Sequence, residues 1–228
     1  MISVILAGGG RGRRIGNTSK AFIKIGGKEL IYHSLDRFHK KVDEIVVVLP
    51  FQHAQKWEAK LKRRYKNLRV VAGGKQRQDS VKTGIDSLKN RKGIILVHDI
   101  ARPFFTDAMV KRLTKGAKKY GACIPCVEMQ DTVKEFDGNF VSRTPDRGKM
   151  VQIQTPQAFR AGILRNAYRK AYEEGFYGSD DAVLVERAGG KVYLAKGSRE
   201  NIKMTYPSDI LFAETLLKKG KKKWKKAE

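Results

Sequence analysis

Short runs of aliphatic and β-branched residues recur at 2–6, 44–49, 68–71, 93–98 and 121–127, separated by stretches with helical spacing at about 30–40, 52–65, 77–90 and 106–119. Strands alternating with helices predict βαβ units and a parallel sheet. Runs such as VVVL and IILV are apolar throughout rather than alternating, as expected of strands covered by helices on both faces. The pattern predicts an open α/β sandwich.

Between 130 and 155 the pattern changes: DTVKEF, the turn DGN at 137–139 and FVSRT read as a β-hairpin, Asp-Gly being a favourable turn pair. A two-stranded arm is marginally stable alone in water, so it is expected to pack on something, another subunit being one choice. Helical spacing returns at 160–174 and 180–188, followed by a strand at 191–195 and a last helix at 207–218. Residues 1–217 are expected to form one domain, with an arm at about 130–155 and a flexible basic tail at 218–228.

The chain has 228 residues, 41% apolar and 31% charged, enough apolar material for a sizeable core and too much for general disorder. Its formal charge is +25, and the last eleven residues carry seven lysines and one glutamate. Such a field concentrates polyanions: nucleic acid, membrane headgroups or phosphorylated small molecules. No basic segment precedes the opening apolar run, and no apolar run approaches the roughly 20 residues of a membrane span, so a cytoplasmic protein with no membrane partner is expected. Cys123 and Cys126 lie in ACIPCV. With no second pair to complete a zinc site they are read as core residues of a strand. His33, His39, His53 and His98 show no ligand spacing, and no metal site built from protein groups alone is expected.

Four segments carry candidate chemistry. The first strand runs into AGGGRGRRIGNTSK at 7–20, a segment able to wrap an anion, since glycines let backbone N–H groups approach phosphate oxygens and arginines add charge-assisted bonds. It lacks the Gly-Lys-Ser/Thr of the Walker form, and it matches the dinucleotide form only loosely, with Ile15 where a third glycine is wanted. In VHDIARP a carboxylate, Asp99, ends a parallel strand, at the crevice where open α/β sheets bind ligands. Asp99 then holds a ribose hydroxyl or a metal ion, or caps the next helix, and Arg102 holds a phosphate. GGKQRQDS at 73–80 is a second glycine turn with a candidate helix cap at Ser80. In NIKMT, at the close of a strand, Lys203 between Ile202 and Met204 suggests an ammonium aimed at an anion.

Taken in order, AGGGRGRR…K, GGKQRQDSV, VHDIARP, a DT hairpin with PDR, TPQAF, SDDA and NIKMTYPSD resemble the cytidylyltransferase family that makes CDP-methylerythritol from CTP and 2-C-methyl-D-erythritol 4-phosphate. The resemblance covers nearly all of residues 2–217. It implies a Rossmann-like nucleotidyltransferase fold and a homodimer in which the arm embraces the partner, with Mg²⁺ accompanying CTP.

By position, the resemblance implies that Ala7, Gly8, Gly9 and Gly10 form the backbone cradle for cytosine and triphosphate, with Gly74 and Ser80 across the base. The family's loop arginine falls on Arg14 if the G-x-G-x-R pattern sets the register and on Arg13 if spacing to the lysine does; the first is favoured. Lys20 matches the catalytic lysine, although Ser19 stands where the family usually has Pro. Asp99 and Arg102 match residues facing ribose and acceptor, and Thr132 and Arg147 match acceptor-phosphate contacts supplied by the other subunit. Thr155 and Lys203 match positions lining the reaction centre, and Ser179 stands where the family commonly has Thr. Two rivals accompany this reading. One is a ribitol-5-phosphate cytidylyltransferase, with almost the same loop and arm. The other, from a different class, is a nucleic-acid-binding protein held by the lysine-rich surface. Against that class, no helix-turn-helix, RNP-type or zinc motif is visible, so no specific nucleic-acid partner is expected.

Overall fold

The structure, a computed structural model, describes residues 1–9 and 19–224, with side chains through Lys219. Strand β1 (Ile2–Ala7) is followed by a 3-10 turn at Lys20–Phe22 and a small ribbon, β2 (Lys24–Ile25) with β3 (Lys28–Glu29). Gly26 and Gly27 turn this ribbon at φ of 57° and 75°, the left-handed region that two-residue hairpins need and glycine supplies without strain. The chain continues as α1 (Leu30–Phe38), β4 (Glu44–Leu49), α2 (Phe51–Lys62), β5 (Leu68–Ala72), α3 (Arg77–Ser87), β6 (Ile94–Asp99), α4 (Asp107–Tyr120) and β7 (Ala122–Glu128). An arm of β8 (Glu135–Asp137) and β9 (Phe140–Arg143) comes next. The chain closes with β10 (Val151–Ile153), β11 (Gln157–Arg160), α5 (Ala161–Glu173), α6 (Asp181–Arg187), β12 (Tyr193–Lys196) and α7 (Pro207–Trp224).

In the main sheet, β5, β4, β1 and β6 run parallel side by side. Strand β11 inserts antiparallel between β6 and β7, β10 continues its line along the same edge of β7, and β12 pairs parallel on β7's other edge. The sheet is therefore mainly parallel and covered by helices, as the sequence pattern predicts. Alternate residues of each central strand feed different cores. Val4, Leu6, Ile45, Val47, Ile94 and Leu96 pack with α1, α2, α4 and Ala213 of α7 on one face. Ile5, Val46, Val48, Ile95 and Val97 pack with α3, α5 and α6 on the other. Two-sided burial is why these strands read as unbroken apolar runs, and each fully buried side chain contributes about 1.5–3 kcal/mol by leaving water.

Helix starts follow local chemistry. The side chain of Thr106 accepts from Met109 N at α4, that of Asp180 accepts from Val183 N at α6, and Gln76 and Asp79 form a capping box at α3. These bonds satisfy amides that the first turn leaves unpaired.

The structure departs from the sequence pattern in five places. Ser80 is not the cap of α3: Gln76 is, and Ser80 lies in the first turn, donating back to Gln76 O. Pairing in the arm is confined to 135–143, because β10 leaves the hairpin to join β7. Strand β11, only four residues long and ending where the predicted helix begins at 160, has no counterpart in the sequence pattern. Residues 201–205 are loop rather than the close of a strand, β12 having ended at Lys196. Helix α7 runs to Trp224, past the expected end at 218, since lysine is a good helix former and no proline interrupts the run.

Candidate active site

Parallel strands deliver their C-terminal ends to one edge, and the order β4–β1–β6 makes the gap beside β1 the crevice where neighbouring connections diverge. Ala7 and Asp99 close the two strands there as paired residues. Beyond Ala7, Gly8 N donates to Val48 O at 2.8 Å. A β-carbon on Gly9 would come within 2.8 Å of Ser80 Oγ, and one on Gly73 within 2.7 Å of the same hydroxyl. Two glycine backbones thus close on Ser80, which donates to Gln76 O at 3.0 Å. Gly74 packs so tightly that its β-carbon would overlap Asp79 Cβ. Of the expected cradle, Gly9 lies against Ser80 and Gly73, while Gly8 lies against Ile100, Leu49 and Val48 and Gly74 against Asp79. Gly10, Arg13 and Arg14 lie outside the described residues.

Lys20 re-enters at the 3-10 turn, where its ammonium donates to Met204 O at 2.8 Å, and Ser19 Oγ donates to Gly8 O at 3.2 Å. Met204 N in turn donates to Ala101 O at 2.8 Å. These bonds draw the glycine segment, the end of β6 and the loop at 201–205 together.

Asp99 sits at their meeting point. Its side chain is only 10% exposed, and its two oxygens face two cations: Arg77 Nε donates to Oδ1 at 3.0 Å and Lys203 Nζ lies 2.7 Å from Oδ2. Burial on its own would raise this carboxyl's pKa, but the charges of Arg77, Lys203 and Arg102 hold it far below the usual carboxylate range. Asp99 N donates to Thr155 Oγ1 at 3.1 Å, and that hydroxyl lies 3.1 Å from His98 Nδ1. His98 Nε2 is 3.1 Å from the carbonyl of Arg102. A carbonyl only accepts, so Nε2 carries the proton, Nδ1 accepts from Thr155, and the imidazole is neutral. Burial is the main reason its pKa drops to about 3.

Arg77 shares itself between two carboxylates. Its Nη2 donates to Asp181 Oδ2 at 2.8 Å, and Tyr168 OH donates to Asp181 Oδ1 at 2.5 Å. Asp181 is wholly buried. Arg77, Asp181, Tyr168 and His98 carry no role in the sequence reading, although RQDS after a glycine turn and the paired acids of SDDA were visible signals. The 104 residues that separate Arg77 from Asp181 concealed their pairing.

The remaining candidates divide. Thr155 and Lys203 both meet Asp99. Arg102 donates from its guanidinium to Asn201 O at 2.9 Å and reaches Ile153 O at 3.5 Å, bracing the loop at 201–205 against the end of β10. Asn201, fully buried, donates to Thr155 O at 2.9 Å and was missed by the sequence reading. Ser179 is exposed just ahead of the α6 cap. Thr132 and Arg147 are exposed at the base of the arm, where Arg147 Nη1 donates to Gln130 O at 2.7 Å, and no hydrogen bond links them to the cluster around Asp99. Cys123 is buried and Cys126 half-buried on β7. Burial pushes the Cys123 thiol up to about 11, as befits a packed residue. Among the described residues no group of three or more His, Cys, Asp or Glu could hold a metal ion, and no helix is long and apolar enough to cross a membrane.

Residues 1–219 match the family model of 2-C-methyl-D-erythritol 4-phosphate cytidylyltransferase. The chain is 37% identical over 227 residues to the protein of that name from Clostridioides difficile, covering 97% of this chain and 96% of that one. It is 40% identical over 220 residues to the one from Geobacillus thermodenitrificans, covering 94% and 96%. Among solved structures, 4-diphosphocytidyl-2C-methyl-D-erythritol synthase from Anaerococcus prevotii superposes with a TM-score of 0.84 at 31% identity, covering 96% of this chain and 98% of that one. The cytidylyltransferase from Thermus thermophilus superposes with a TM-score of 0.80 at 31% identity, covering 94% and 97%.

Proposed function

The chain belongs to the 2-C-methyl-D-erythritol 4-phosphate cytidylyltransferase family, and on that premise we propose that the crevice beside β1 binds CTP and that Lys20, Asp99 and Lys203 serve the transfer. The reaction moves a cytidylyl group from CTP to 2-C-methyl-D-erythritol 4-phosphate, giving 4-diphosphocytidyl-2-C-methyl-D-erythritol and pyrophosphate, in the non-mevalonate route to isoprenoid precursors. The observation that carries the assignment to this site is convergence: Lys20 bonds to the carbonyl adjoining Lys203, and Lys203 pairs with Asp99.

An oxygen of the acceptor's phosphomonoester attacks the α-phosphorus of CTP, the bond to the β-phosphate oxygen breaks, and pyrophosphate departs. The nucleophile is already ionised near neutrality, so no general base is required. The obstacle is repulsion between anions, and the chain's answer is fixed positive charge. In this reading Lys20 and Lys203, with a loop arginine from the Arg13–Arg14 pair, face the charge that builds on the α-phosphate and the leaving group. Lys203 exchanges its bond to Asp99 for a phosphate oxygen, and Asp99 is released toward the ribose. Gly8, Gly9, Gly74 and Ser80 line the base side in this reading, as backbone and one small hydroxyl where larger side chains would clash.

The donor set fits a magnesium ion carried mainly by the triphosphate, since Asp99 supplies a single carboxylate and such ions are commonly held by one or two carboxylates plus phosphates. Bound there, it would neutralise charge on the triphosphate. We place the acceptor-phosphate contacts of Thr132 and Arg147 in a homodimer joined through the arm, and the enzyme's work in the cytoplasm, where CTP is made and consumed.

The test is incubation of purified protein with CTP, Mg²⁺ and 2-C-methyl-D-erythritol 4-phosphate while pyrophosphate release is followed, beside a parallel reaction with ribitol 5-phosphate. Turnover with the first acceptor is expected; turnover with ribitol phosphate alone would overturn the reading.

A further inference from the structure

We propose that Asp181 and Tyr168 are positioning residues for the transfer reaction: acting through Arg77, they fix the orientation of Asp99 and keep its charge available to the incoming nucleotide. This rests on the proposed use of Asp99 in CTP binding.

Asp181 is a wholly buried carboxylate in the first position of α6, and the helix does not need it there. Asp180 already caps α6 by accepting from Val183 N at 3.0 Å. A buried charge is costly unless every oxygen finds a partner, and an apolar residue of similar size would often be the more stable choice. Both oxygens of Asp181 are occupied, by Arg77 and Tyr168. The guanidinium is planar, so pinning Nη2 on Asp181 at one end fixes where Nε presents its proton to Asp99 at the other. Asp99 Oδ1 is thereby held while Oδ2 faces Lys203.

Charge counting gives the second part. With Lys203 in place, the two carboxylates and two cations cancel. The Lys203 side chain is 42% exposed, against 30% for Arg77 and none for Asp181, so the outer cation is the one free to turn toward phosphate. Once it does, Asp99, Arg77 and Asp181 retain one net negative charge, offset only by the more distant Arg102, whose guanidinium donates to Asn201 O and to neither carboxylate, and Asp99 can meet a cation or hydroxyl of the substrate. Without the carboxylate of Asp181, Arg77 would neutralise Asp99 by itself and that attraction would be lost.

Asp181→Asn keeps the shape and removes the charge, whereas Tyr168→Phe removes one hydrogen bond and spares the charge. The measurements are kcat and KM, the thermal midpoint, and CTP affinity by calorimetry with Mg²⁺ and with EDTA. Asp181→Asn should lower kcat/KM about tenfold or more, yet add little to Asp99→Asn when the two are combined, because coupled residues are not additive. Its loss of CTP affinity should fall mainly in the Mg²⁺ arm, and Tyr168→Phe should move the same quantities less. The proposal is overturned if the Asp181 and Asp99 losses multiply, or if only the thermal midpoint falls while CTP affinity is unchanged in both arms. Should Asp181→Asn fail to fold, the same criteria apply to Tyr168→Phe with Asp99→Asn. Wild-type protein that binds CTP but transfers nothing would defeat the proposed function, while the calorimetric comparison would still decide this inference. Wild-type protein that binds no CTP would overturn both.

Discussion

The ammonium of Lys20 donates to the backbone carbonyl of Met204 at 2.8 Å across 184 residues of chain, tying the end of the glycine-rich segment to the loop that presents Lys203. Lys20 is thereby bonded to the loop whose Lys203 pairs with Asp99, and under the proposed function the Met204 carbonyl gives Lys20 up to phosphate. Loss of a well-placed charge donor from such a site costs on the order of 3 kcal/mol of transition-state stabilisation, a hundredfold or more in rate. Lys20→Ala should lower kcat by that amount and change CTP affinity only a few fold. Steady-state kinetics with a parallel binding titration check this, and unchanged turnover would remove Lys20 from the chemistry.

Acid should destabilise the fold through His98. Its pKa is about 3 in the folded protein and ordinarily 6.5, so between those values the unfolded chain takes up a proton that the folded chain refuses. Stability attached to this group is full above pH 6.5 and declines as pH falls toward 3, by about 1.4 kcal/mol per pH unit where the slope is fully developed. Asp99, held below its ordinary value by Arg77, Lys203 and Arg102 against the effect of burial, contributes above pH 3.8 and loses its contribution only in stronger acid. Urea unfolding at pH 7, 6, 5 and 4 should show a shallower decline for His98→Gln than for wild type. His33, whose pKa is also lowered by burial, remains in both proteins and cancels in the comparison.

The layers of the fold were legible because two-sided burial writes itself into composition: Val46, Val47 and Val48 are all buried, but on different faces. Strand β11 was not legible. Its four residues gain their place from β6 and β7 on either side, a tertiary cause with no local trace. The site divides in the same way. Asp99 and Lys203 stood out because a charged residue among apolar ones at a strand end or loop invites a partner. Arg77, Asp181 and Asn201 look locally like helix-start and loop residues, and their importance arises from pairings across 104 and 46 residues. Arg102 stood out in the string ARP, but its bonds to the carbonyls of Asn201 and of Ile153 at the end of β10 come from distant segments and left no local trace.

The seven lysines among the last eleven residues supply a general attraction for polyanions. Deleting 218–228 shortens α7 beyond its buried Ala213 and leaves the contacts around Asp99 in place. The truncated protein should keep its kcat within twofold while losing most of its retention on nucleic acid. Wild-type retention should fall steeply with salt, since each lysine–phosphate contact releases counterions. Elution from immobilised DNA across a salt gradient checks this, and tight, tail-independent binding would revive the nucleic-acid rival.

The arm makes the strongest demand for a second copy. Among the described residues, strands β8 and β9 pair only with each other, and Phe136, Phe140 and Val141 are 76%, 81% and 60% exposed. An isolated ribbon of this size is marginal in water, and its apolar side chains have no core of their own to enter. Burying one such phenylalanine against a partner is worth about 1.5–3 kcal/mol. Phe140→Asp should therefore weaken self-association by tenfold or more in sedimentation equilibrium, with an unchanged thermal midpoint for the monomer, because Phe140 touches neither core. If Thr132 and Arg147 serve the partner's acceptor phosphate, the same variant should raise KM for the acceptor while leaving CTP affinity intact, and adding protein should restore activity as dimers re-form. A wild-type protein that is monomeric and fully active at assay concentration would show instead that the arm's apolar face serves something other than this reaction.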